Sequence, residues 1–368
     1  MASHEVRIDS SRPLAQQPET GHNRWHPDIP AVVGCREGDE VVLETRDALD
    51  GQVGPQTAVQ QVGGADLSVV HPLTGPVHVE GAEPGDLLIV EILDIEPDSY
   101  GFTVQIPGFG FLRDVFPDPH KIDWRIADGW ATSPDLSGVR IPGAPFMGTI
   151  GVAPSRDLMA RATAREQAAA DGGGLALPPS AEGAVPAGGP ITAEALRTVP
   201  PRENGGNVDI KQLVRGTRLL LPVYVPGALF SAGDAHFAQG DCETCGTAIE
   251  MRARLHVRFS VRKGEGSRLR GPRFERDDYF VSPEYAAPRR FLATTGIPVG
   301  PDDENRAEDL TLAARNALLA MIELLGERGY SRQQAYALCS VAVDLKISQV
   351  VDAPNPLVSA FLSLDIFT

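Results

Sequence analysis

Hydrophobic and polar residues alternate without a break from Ile249 to Arg262. Ile249, Met251, Ala253, Leu255, Val257, Phe259 and Val261 take one side; Glu250, Arg252, Arg254, His256, Arg258, Ser260 and Arg262 take the other. A period of two over this length predicts an antiparallel strand with one buried face. Its arginine face is expected to be solvated or paired with acids on a neighbouring strand, in preference to binding an anion. Two shorter segments, 37–48 (EGDEVVLETRDA) and 84–95 (PGDLLIVEILDI), each place a Gly-Asp turn before a run of β-formers. The run 218–230 (RLLLPVYVPGALF) is strand-like but carries Pro222 and Pro226, which put it at an edge or a kink.

Towards the end of the chain the period changes. Between Glu308 and Glu327, apolar residues Leu310, Ala313, Ala317, Leu318, Met321, Leu324 and Leu325 recur at helical spacing, with Gly329 as the stop. Ser331 and Gln334 form a capping box that opens a second helix through Cys339. Residues 167–190 are low in complexity and rich in Gly, Ala and Pro, and are expected to form a long loop. The chain is therefore read as one domain over 1–368. It has a β-rich half at 1–155, an insertion at about 156–200, and a half at 201–368 that carries the candidate chemistry.

Composition narrows the function classes. With 368 residues and 42% hydrophobic content the chain can build a sizeable core. No apolar run approaches the ~18 residues of a membrane span, and the start lacks the pattern of a signal peptide, so cytoplasmic residence is expected. A net charge of −16 argues against nucleic acid as a partner. The 38 glycines and 31 prolines favour turns and short strands, and four cysteines do not make a disulfide framework.

The densest chemistry lies in 231–251 (SAGDAHFAQGDCETCGTAIEM), where Asp234, His236, Asp241 and Glu243 sit among glycines. Asp234 and His236 are two apart, so on a strand their side chains share a face and can hold one cation. A divalent ion there would activate water, with Glu243 as the proton carrier and Asp241 second. On spacing alone, a hydrogen-bonded turn is the more frequent outcome, with a metal site at about one in four. Cys242 and Cys245 form a C-x-x-C with no second pair and no thioredoxin-like surroundings.

Several stretches together resemble the acetamidase/formamidase family, closest to its formamidases: HNRWHPDIP (22–30), HPLTGPVHVEGAEPGDLL (71–88), PFMGTIGVAP (145–154), the run 201–241 from PRENGGNVD to HFAQGD, GTAIEM (246–251) and ISQVVDAPN (347–355). The resemblance implies a β-rich α+β fold, a β-sandwich core of mostly antiparallel strands with helices near the C-terminus. It also implies hydrolysis of short linear amides, a metal, and a homo-oligomer. The family's GD-x-H-x-x-QGDGE falls on Gly233, Asp234, His236, Gln239, Gly240, Asp241 and Glu243. Its GGN-x-D falls on Gly205, Gly206, Asn207 and Asp209, its T-x-D on Thr45 and Asp47, and its HNRW on His22 to Trp25. The expected site thus has Asp47, Asp234 and His236 on a divalent ion, zinc first, with His22 and His71 in reserve. Glu243 and Asp241 do the proton transfer, and Asn207, Gln239, His22 and Trp25 meet the substrate, Trp25 as a wall. Cys242 stands where the family has glycine, which matters if that position needs a positive φ. Two rival readings are a thiol amidase, with Cys242 as nucleophile and His236 as base, and a β-sandwich that binds a ligand without cleaving it.

Overall fold

A computed structural model describes residues 2–173, 179–278 and 290–368. The alternating segment is the strand Glu250–Arg262, with Met251, Leu255, Val257 and Phe259 buried. Its arginines meet acids across the sheet: Arg252 pairs with Asp98, Arg254 with Glu5 and Glu96, and Arg258 with Glu40 and Glu91. The strand lies between Leu87–Gln105 and Glu40–Thr45, both antiparallel to it.

These strands belong to a fifteen-stranded sheet, mostly antiparallel. Its main path runs Arg140–Pro142, Trp130–Thr132, His120–Ala127, Leu87–Gln105, Glu250–Arg262, Phe230–His236, Phe146–Val152 and Gly205–Asn207. Leu73–Val79 pairs with Phe230–His236, and the Thr74 hydroxyl donates to the Glu44 carbonyl at 2.6 Å, which ties that strand to Glu40–Thr45. Every residue of Phe146–Val152 and of Phe230–His236 is buried, so both faces of these strands are covered. The fold is the β-rich α+β arrangement expected from the resemblance. Arg218–Pro222 pairs with Leu87–Gln105 and ends at its proline.

The helices lie where the period predicts them. Leu310–Glu327 is capped by Asp309, and Arg332–Ala342 by Ser331 with the full Gln334 box. The first packs on a three-stranded sheet formed by Phe291–Gly296, Val343–Gln349 and Leu357–Ser363. The contact is close enough that a Cβ on Gly296 would stand 2.1 Å from the Ala313 carbonyl. No helix among the described residues is long and apolar enough to cross a membrane.

The expected loop at 167–190 needs correction. Its first residues end a helix, Arg156–Asp171, capped by Ser155. Alanines and charged residues sustain this helix although the composition reads as low complexity. Residues 174–178 lie outside the described residues. Beyond them the chain docks on the HNRW segment: Arg24 donates to the carbonyls of Ser180 and Glu182, and Asn23 exchanges bonds with Gly183 and Val185.

The helix Arg332–Ala342 also braces the loop that follows His236. The buried Tyr336 hydroxyl accepts from the Leu112 amide at 2.8 Å and donates to the Thr244 carbonyl. Ser340 accepts from the Cys245 amide and donates to the Thr247 carbonyl. Gly240 has no room for a side chain, since its Cβ would lie 2.2 Å from the Val343 carbonyl. Replacing Tyr336 by Phe orphans a buried amide and should cost about 1–3 kcal/mol in urea unfolding. Unchanged stability would show that the hydroxyl does not anchor the loop.

Candidate active site

Strand register brings the chemistry together. Phe146 stands opposite His236, and Thr149 opposite both Gly233 and Asn207, so three strands present side chains to one place. There, His236 Nε2 lies 3.2 Å from Asp234 Oδ1, 3.2 Å from Glu250 Oε1 and 3.8 Å from Glu243 Oε1. Two groups of ligand atoms lie within 4.8 Å of one another: Asp209, Asp234 and His236, and His236, Glu243 and Glu250. His71 Nε2 is 3.7 Å from Asp234 Oδ2.

A surrounding set of hydrogen bonds fixes these groups. His236 Nδ1 lies 3.0 Å from Gln239 Oε1, and Gln239 Nε2 donates to the Asp209 carbonyl. With its other end so committed, Gln239 accepts from Nδ1 and leaves Nε2 facing the carboxylates. Asn207 donates to Asp209 Oδ2 at 3.0 Å and accepts from the Thr149 hydroxyl at 2.8 Å. His71 is held through its backbone amide and Nδ1 by the Thr198 hydroxyl. Three of the acids sit on backbone that L residues rarely adopt: φ is +45° at Asp209, +58° at Asp234 and +43° at Glu243.

Burying four carboxylates around one imidazole moves their proton affinities. Burial, followed by the Asp234 charge, pushes Asp209 up to about 6. Burial raises Glu250 to about 7, and burial with the Asp209 charge raises Glu243 well above its usual value. Burial alone would lower His236, but Glu250 and Asp234 outweigh it and the imidazole is driven up. Asp234 goes the other way, because the two histidines overcome its burial. Asp209 Oδ1 and Glu250 Oε2 are buried with no hydrogen-bond partner among the described residues. Gly148 leaves space beside them: a Cβ there would stand 2.6 Å from both Asp209 Oδ1 and Asp234 Oδ2. Surplus buried negative charge, orphaned carboxylate oxygens and a gap that only glycine leaves are what a divalent cation requires.

The cluster lines part of a cavity of about 280 Å³, reached by His71, Asn207, Asp234, Glu243 and Glu250. The remaining walls are largely apolar, with Leu49, Val70, Ile106, Phe109 and Val199 among them.

Of the residues expected from sequence, Asp234, His236, Glu243 and Asn207 converge here. Gln239 stands behind His236 instead of meeting substrate. Asp47 is not brought to the cluster, because its carboxylate accepts from the amides of Leu49 and Gly51 and shapes the turn that carries the cavity wall. Asp241 turns away to Lys211 at 3.6 Å. His22 is buried between Ser231 Oγ and the Arg24 carbonyl, with burial holding it down at about 4. Trp25 packs with Leu73, Met159, Ala162 and Leu196 and does not line the cavity. Cys242 has φ +87° and is exposed overall, while partial desolvation of its sulfur, followed by the Asp241 charge, raises its pKa. It does not line the cavity either. Glu250 was hidden in the sequence as part of the strand's polar face, although it is the lone acid in Glu250–Arg262.

A buried carboxylate–histidine cluster that lines a pocket, on a largely antiparallel β fold, defines an amidohydrolase when set beside the chain's relatives. The acetamidase/formamidase family model matches residues 7–368. An acetamidase from Mycolicibacterium smegmatis is 41% identical over 90% of this chain and 87% of its own length. A formamidase from Methylophilus methylotrophus is 37% identical over 98% of this chain and 93% of its own. The solved structure of a gamma lactamase from Delftia acidovorans superposes with a TM-score of 0.93 at 38% identity, covering all of this chain and 93% of that one. The chain belongs to the acetamidase/formamidase family.

The proton affinities predict a pH response in protein stripped of divalent ions. Asp209 and Glu250 keep protons in the fold up to about 6 and about 7, but release them in the unfolded chain near their ordinary values of 3.8 and 4.5. Their contribution is therefore full below about pH 4 and is lost as pH rises through about 6 to 7, and the raised His236 has the same sign. The melting temperature of stripped protein should fall over that window, and less steeply in Glu250→Gln. Parallel profiles for the two proteins would contradict the assignment.

Proposed function

We propose that this protein hydrolyses the C–N bond of short linear amides to carboxylate and ammonia, with a divalent cation, zinc first, at the buried cluster. What carries the proposal is the convergence of Asp209, Asp234 and His236 around the gap beside Gly148, with Glu243 next to them in the cavity. The donor set of two carboxylates and an imidazole suits zinc. The cation supplies charge that polarises the amide carbonyl and makes water more acidic.

The chain's own residues do the rest. Asp209, Asp234 and His236 hold the ion, with Asn207 and Gln239 keeping their donor atoms in place. Glu243, whose burial raises its proton affinity and so makes its ionised carboxylate a stronger base, takes a proton from the attacking water and returns it to the departing nitrogen. Glu250 faces the same imidazole nitrogen as Asp234, Nε2, at 3.2 Å and adds a second carboxylate beside it. Asn207 has one amide hydrogen left for the substrate after its bond to Asp209. Homo-oligomeric assembly is part of the same proposal and rests on the family resemblance.

The deciding experiment measures ammonia from formamide and acetamide together with metal content, before and after exhaustive chelation. Activity should vanish with the metal and return on adding zinc; activity in metal-free protein would overturn the mechanism. Glu243→Gln should lower kcat by about 10²–10⁴ with metal still bound. Cys242→Ala should stay active, and loss of activity there would favour a thiol nucleophile.

A second test isolates the gap. Gly148→Ala fills the space between Asp209 and Asp234, so zinc binding measured by calorimetry should be abolished in a variant that remains folded. Zinc uptake equal to the wild type would place the ion elsewhere.

A further inference from the structure

Formamide and acetamide leave most of the cavity empty. Its volume of about 280 Å³ is nearly an order of magnitude more than the roughly 30 Å³ that one water takes in the liquid. Acetamide carries only a methyl group beyond its amide, so the space implies a longer acyl chain. The wall offers one cationic feature to such a chain, Arg197.

Arg197 is placed among arginines that have partners while it has none. It stands directly across a two-stranded ladder from Arg24. Arg24 spends its guanidinium on the carbonyls of Asn23, Ser180 and Glu182. Arg202 is paired with Glu166 and donates to the Arg197 carbonyl. Arg197 itself makes no side-chain hydrogen bond or ion pair among the described residues, and its Nε is buried without a partner. The two facing guanidinium groups repel, and burial followed by the Arg197 charge holds Arg24 down at about 10. A guanidinium cannot escape by losing its proton. Left alone in a half-buried wall it is costly, and a carboxylate received by its planar fork satisfies both charge and hydrogen bonds.

We propose that Arg197 forms a subsite for a carboxylate at the far end of the acyl chain, so that the preferred substrates are monoamides of short dicarboxylic acids. The inference rests on the amidohydrolase assignment for the chemistry at the carboxylate–histidine cluster, which lines the same cavity as Arg197. With succinamate, water adds its oxygen to the amide carbon, the C–N bond breaks, and the products are succinate and ammonium. The apolar walls of the cavity accept the methylene groups.

The test compares succinamate with butyramide, which has the same chain length but no carboxylate. Wild-type kcat/KM should favour succinamate by about tenfold or more, and Arg197→Met should lower that ratio by roughly tenfold to a hundredfold, chiefly through KM. Arg197→Lys should recover part of the loss, since it keeps the charge but not the fork. Wild-type enzyme that favours butyramide, or an Arg197→Met variant that depresses both amides equally, overturns the proposal. If Arg197→Met does not fold, the wild-type ratio and Arg197→Lys decide. If neither amide is cleaved, the amidohydrolase assignment fails separately and succinate binding by calorimetry becomes the test. Binding by wild type that is lost in Arg197→Met keeps the subsite, and no binding removes it.

Discussion

Four carboxylates are buried around His236, and most of the surrounding structure exists to make that tolerable. In a protein interior, like charges at hydrogen-bond distance cannot all ionise without a counter-charge. His236 and His71 supply part of it, and Asp234 takes the largest share because both histidines face it. Asp209, Glu243 and Glu250 are left with raised proton affinities and two orphaned oxygens. A cation held by Asp209 and Asp234 would remove the conflict. Without one, the cluster must hold protons to stay neutral, so ligand binding, proton uptake and fold stability are coupled at one place.

The backbone meets the same constraint by strain and by close approach. Asp209, Asp234 and Glu243 occupy the left-handed region, at a cost of order 1–3 kcal/mol each when the residue is not glycine. Hydrogen bonds from Thr149, Asn207 and Gln239 hold the donor atoms, while Tyr336 and Ser340 hold the loop that carries Glu243. Gly148 and Gly240 let strand and helix come near enough for those bonds to form. A C-terminal helix far along the chain is thereby part of the site's support.

What could be read from sequence follows from the range of the interactions involved. The strand Glu250–Arg262, the helix Leu310–Glu327 and the Ser331–Gln334 cap are local patterns, and period and capping chemistry identify them without tertiary information. Pairing of the arginine face also follows, because a row of guanidinium groups beside acidic strands has few other outcomes. Asp47 misleads because a carboxylate at a strand end serves a turn as readily as a metal, and only its bonds to Leu49 and Gly51 distinguish the two. His22 and Trp25 sit in a motif that packs under residues 180–197, a role that no spacing encodes. Glu250 needed the register with Phe230–His236, which pairs it with His236 from across the sheet.

Cys242 shows how a local rule and a site requirement separate. Its φ of +87° is the conformation that favours glycine, so the residue strains the turn between Asp241 and Glu243. Crowding does not follow, because the residue is exposed and does not line the cavity. The strain acts on loop stability, and the bracing by Tyr336 and Ser340 bears on the same loop. A substitution in the most chemically dense stretch of the chain therefore leaves the donor atoms untouched and draws on the helix that anchors them. By this logic substrate choice depends less on that stretch than on the apolar walls and Arg197, which come from parts of the chain with no catalytic signature.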